Sequence, residues 1–69
     1  MTEHEILDRL KDLDFKEKKH KLILRWLVTY PQYVPGGKKG LDEQVNFHLD
    51  ELVKIWQDKE FWLTKLKEA

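Results

Sequence analysis

Leu22-Ile23-Leu24-Arg25-Trp26-Leu27-Val28-Thr29-Tyr30 is the stretch whose reading decides the fold of this chain. Wound as a helix together with Phe15, its apolar positions sweep roughly 240° of the wheel at about 100° per residue, leaving a narrow polar strip around Lys18 and Arg25. A helix of that kind has no side suited to water. The expectation is therefore a central helix covered on both flanks, by other helices or by a second copy of the chain. The same stretch is rich in residues favoured in strands, and Phe61-Trp62-Leu63-Thr64 could pair with it in a two-stranded α+β alternative. A lone strand pair is marginal in water and neither segment alternates cleanly, so the all-α reading is preferred.

Toward the N-terminus, Thr2 and Glu5 have the T-x-x-E spacing of a capping box and predict a helix start near Glu3. Ile6, Leu7, Leu10 and Leu13 then follow at helical spacing. Asp14 and Glu17 repeat the capping spacing, which predicts that a first helix over 3–13 stops and a second over 15–30 begins. Against this, Lys16, Lys18 and Lys19 would sit in a first turn, where the helix dipole disfavours cations. One uninterrupted helix from Glu3 to Thr29 is the alternative.

Pro31 ends the second helix, because it lacks a donor and pushes the residue before it out of helical geometry. In the loop 31–40, Val34-Pro35-Gly36-Gly37 suits a type II turn, with glycine supplying positive φ at the third position. A third helix is predicted over 41–67. Its apolar positions from Leu41 to Leu66 fill an arc of roughly 180°, wide enough for two neighbours. The polar run Gln57-Asp58-Lys59-Glu60 predicts a bend or restart near 57–60, and Phe47 and Phe61 project opposite the arc. The fold class expected is a small all-α, three-helix domain covering 1–69, with the second helix between the first and third.

Sixty-nine residues hold one core. The chain has no cysteine, which excludes disulfides and thiolate metal sites and suits a reducing compartment, so a cytoplasmic location is expected. The acidic start does not resemble a secretion signal, and no stretch reaches the length of a membrane span. Formal charge is zero overall, with 13 basic and 13 acidic residues, but it is unevenly laid out. Residues 15–40 carry seven basic side chains against Glu17 alone, whereas both flanking segments are net acidic.

Chemistry-bearing patterns are sparse. His48 and Glu51 share a helix face, yet no zinc-type spacing appears, and His48 reads as a hydrogen-bonded core or interface residue. His4 and His20 read as surface residues. There is no serine, and the adjacent pairs Asp42-Glu43 and Asp50-Glu51 diverge on a helix, so no acid/base pair or nucleophile is expected. Gly36-Gly37-Lys38-Lys39-Gly40 lacks phosphate-loop spacing and reads as a flexible basic connection. No enzyme activity, cofactor, metal or small-molecule substrate is expected. The basic run Lys16, Lys18, Lys19 and Lys21, with Lys38 and Lys39, would suit phosphate contact in a DNA- or RNA-binding alternative. Eight aromatic residues, three of them tryptophan, exceed what so small a core encloses, and Tyr33, Phe47 and Phe61 are the candidates for a protein-binding surface. The functional expectation is a non-enzymatic protein–protein interaction module acting as regulator, adaptor or inhibitor, with homodimerisation through the second and third helices.

Overall fold

The computed structural model describes residues 2–68 and is all-helical, but it has two long helices rather than three. Helix α1 runs Glu3–Thr29, a 3-10 turn follows at Pro31–Tyr33, and helix α2 runs Gly37–Glu68. The two pack antiparallel into a rod-shaped hairpin of 48 × 14 × 13 Å.

Helix α1 starts where the capping spacing put it, with the Glu5 backbone N–H donating to Thr2 Oγ1 at 3.2 Å. The predicted stop between 3–13 and 15–30 does not occur. An N-cap works only if its side chain turns back onto backbone N–H groups. Asp14 instead accepts from Lys59 and pairs with Lys18, and Glu17 accepts from Lys59, Lys21 and Trp56. With both carboxylates committed to side chains, the helix continues through them. Asp14–Lys18 and Glu17–Lys21 become acid-before-base i,i+4 pairs, the favourable order within a helix. The lysines that would have burdened a first turn are thereby absorbed in mid-helix.

Helix α1 ends at Pro31 as expected, with the Tyr30 N–H donating to the Trp26 carbonyl at 2.8 Å. The predicted third helix over 41–67 starts four residues early, at Gly37, and is unbroken through 57–60. Gly36 takes φ +88, as the predicted turn requires, and its carbonyl accepts from the Gly40 N–H at 3.3 Å, a helical bond already formed. Gly40 marks close packing instead of a flexible stop: a Cβ there would run into the Pro35 carbonyl oxygen. The polar run 57–60 does not interrupt α2 because Lys59 alone points inward, to the carboxylates of α1.

Between the helices lie Ile6, Leu13 and Leu27 from α1 and Leu52 and Ile55 from α2, with Val34 closing the loop end. With one neighbour instead of two, the stretch 22–30 is not sandwiched. Leu22 and Val28 are 69% and 72% exposed, and Phe15 is 70% exposed. Both segments of the strand alternative, 22–30 and 61–64, lie within helices up to Thr29.

Candidate interaction surfaces

Helical spacing brings residues three and four apart onto one face, so the inward row of α1 past Leu13 reads Asp14, Glu17, His20 and that of α2 reads His48, Leu52, Ile55, Lys59. Two polar crossings result. In the first, Lys59 Nζ donates to Asp14 Oδ1 at 3.2 Å and Glu17 Oε2 at 2.9 Å, while Trp56 Nε1 donates to Glu17 Oε2 at 3.1 Å. The hydrogen bonds from Lys59, reinforced by Lys18 at Asp14 and Lys21 at Glu17, hold both carboxyls below their ordinary values. The same bond to Glu17 raises Lys59. All three groups are charged across the neutral pH range.

The second crossing joins His20 and His48, whose Nδ1 atoms are 2.8 Å apart with the rings tilted at 51°. One nitrogen donates and the other accepts, so the bond requires at least one neutral ring. His48 is buried, as the sequence suggested for a hydrogen-bonded core residue, and burial, then the nearby His20, push it below its ordinary 6.5, with Glu51 pulling weakly upward. His20 is half-buried rather than a surface residue. Only the tertiary partner shows this, because nothing in the neighbouring sequence distinguishes His20 from the exposed His4. Among the described residues no group of three His, Asp or Glu side chains converges as a metal site.

The three residues picked out for protein binding are all exposed, but they do not form one patch. Phe47 and Phe61 are 54% and 52% exposed. They share one side of α2 about 21 Å apart, four turns along the helix. Phe47 stands edge-on to the His48 ring at 5.1 Å, and Phe61 has Lys65 Nζ over its ring at 5.6 Å. Tyr33 lies at the hairpin tip and ends a ladder of exposed rings, Trp26, Tyr30 and Tyr33, with centroids 5.9 and 6.1 Å apart.

Sequence reasoning missed Phe15, Leu22 and Trp26, which it assigned to the core. Their spacing of seven and four places them in one exposed stripe on the side of α1 turned away from α2. The spacing is visible in the sequence; which of two apolar stripes faces the partner helix is not.

The candidate basic residues are also dispersed. At about 100° per residue, Lys16, Lys18, Lys19 and Lys21 point to different sides of α1, and Lys18 and Lys21 are engaged by Asp14 and Glu17. Lys38 and Lys39 lie in the first turn of α2, at the tip of the hairpin. Among the described residues no helix is long and apolar enough to cross a membrane. Compared with known families, curated proteins and solved structures, the chain matches none of them.

Proposed function

We propose that this chain is a small, non-enzymatic protein–protein interaction module, a regulator, adaptor or inhibitor. The observation that carries the reading is the exposure of large apolar side chains around the hairpin: Phe15 and Leu22 on the outer side of α1, Phe47 and Phe61 on α2, Tyr33 at the tip. Aromatic side chains supply much of the energy of protein interfaces. The charged residues nearest to an acid/base arrangement, Asp14, Glu17 and Lys59, already satisfy one another across the helices. Absence of cysteine suits a reducing compartment, so the cytoplasm is the location that goes with this reading.

The nucleic-acid alternative has less behind it, because its lysines point around the helix instead of along one groove. One experiment separates the two. The tagged chain is used to capture partners, with and without nuclease, alongside a variant carrying Tyr33→Ser, Phe47→Ser and Phe61→Ser. The proposal expects a defined protein partner that survives nuclease and is lost from the variant. Binding that disappears with nuclease and with Lys19→Glu, Lys38→Glu and Lys39→Glu would replace it with the alternative.

A further inference from the structure

One unpartnered surface is a flat side of the hairpin. On α2, Leu49, Trp56 and Leu63 are spaced by seven, with Val53 beside them, and all four are about half exposed. They lie roughly 100° round the helix from the strip His48, Leu52, Ile55 that meets α1. On α1, Leu7 and Val28 are exposed on the same side, with the ion-paired Asp14 and Lys21 between them at the same spacing; Leu7 and Leu63 flank one open groove between the helices. Two helices about 10 Å wide and a rod 48 Å long give a face of roughly 1,000 Å², close to the ~800 Å² per partner of a stable interface.

The charges along this face are mixed, but their balance is basic on α1 and acidic on α2. Beyond the apolar row, α1 carries Lys11, Lys18 and Arg25, again spaced by seven, of which Lys18 already pairs with Asp14. On the matching side α2 carries Asp42, Asp50 and Glu60, with Lys39 and Lys67 at its two ends. We propose that two copies of this chain pair face to face into a four-helix bundle, α1 of each lying over α2 of the other, with both loops at one end. This deepens the interaction-module reading by naming one partner. Within the hairpin Arg9 sits over the Trp62 ring, Asp14 bonds Lys59 and His20 meets His48, so Lys11 stands at the height of Glu60, Lys18 near that of Asp50, and Arg25 near that of Asp42 and Glu43. In the proposed pairing the basic edge of each copy therefore meets the acidic edge of the other. The opposite pairing, α1 over a reversed α1, would set Lys18 against Lys18 and Lys11 against Arg25, which like-charge repulsion disfavours.

Sedimentation velocity at micromolar concentration is the test, read beside circular dichroism. The expected result is a species of twice the 8.4 kDa chain mass. Leu49→Glu with Leu63→Glu should give a monomer. Because that variant could also unfold, exposed charges supply the second measurement. Lys11→Glu alone and Glu60→Lys alone should each weaken dimerisation by roughly tenfold, and the two together should restore it. A folded wild-type monomer overturns the proposal, as does a double-glutamate variant that stays dimeric. A dimer indifferent to the charge swap, or one broken instead by Phe15→Ser and Leu22→Ser, overturns this face and this pairing. A monomer that still captures a protein through Phe47 and Phe61 would sink the dimer but keep the interaction module. A dimer that captures nothing would do the reverse.

Discussion

The open half of the hairpin and the loop half are each held by a short apolar row and one polar crossing, but the crossings are of different kinds. Toward the open end, between Leu13 and Ile55, oppositely charged groups meet: Lys59 against Asp14 and Glu17. Toward the loop, between Leu27 and Leu52, two groups of the same kind meet, His20 and His48. Opposite charges strengthen each other's ionisation, so the first crossing is strongest where both sides are charged. A hydrogen bond between two imidazoles needs an acceptor nitrogen, so the second crossing holds only while at least one ring is neutral. The polar content of an interface thus says little until the titration of each pair is known.

The largest effects test the apolar rows. Leu52→Ala in the loop half and Leu13→Ala in the open half should each cost about 2–5 kcal/mol, most of what a core this small supplies. Chemical denaturation followed by circular dichroism reads both, and a loss below 1 kcal/mol at Leu52 would show that the loop half is loosely packed. Next comes the turn that closes that half. Gly40→Ala must displace the Pro35 carbonyl and should cost about 1–3 kcal/mol, whereas alanine at the open-sided Gly37 meets no neighbour and bears only its positive φ.

The crossings themselves are expected to respond less and in opposite pH ranges. Lys59→Met removes the donor that Asp14 and Glu17 share and should cost about 1–2 kcal/mol at neutral pH. Because Asp14 and Glu17 are depressed on folding, their contribution is full above the ordinary carboxyl values of 3.8 and 4.5 and is lost as pH falls through the lower folded values. His48 is also depressed, but it is a base, so folding favours its neutral form. Stability should fall as pH drops below 6.5 toward its folded value, and His48→Leu should flatten that part of the curve while leaving the acid limb intact. Thermal melts from pH 8 to 3 would show two separate losses; one merged loss would mean that the crossings do not titrate independently.

The smallest effect on stability belongs to the outer residues. Phe47→Ser with Phe61→Ser should stay within about 0.5 kcal/mol of the wild type while partner capture falls. A large loss of helicity would show that these rings hold the hairpin together, with Phe47 bracing His48.

Much of the hairpin was legible in local chemistry. The Thr2 cap, the stop at Pro31, the positive φ at Gly36 and the outward setting of Phe47 and Phe61 all follow from rules that span four residues or fewer, or from the phase of one helix. The spurious break at Asp14 and Glu17 has an equally local origin, since carboxylates at capping spacing look the same whether they turn to the backbone or to a lysine on another helix. Nothing near Asp14 in the sequence announces Lys59. Likewise Gly40 resembles a loop residue until the Pro35 carbonyl is seen beside it.

What the sequence determined by itself is that the chain is helical, that its first helix starts at the Thr2 cap and stops at Pro31, and that it carries more apolar surface than its length can enclose. What only the tertiary structure decided is which surface was enclosed. Helix α1 has two apolar stripes, and α2 has an arc wide enough for two neighbours. Periodicity measures the width of such a face but not which part another helix covers. That choice went to the row that also aligns Lys59 with Asp14 and Glu17 and His48 with His20, because a buried polar group is tolerated only where a partner of matching chemistry stands opposite.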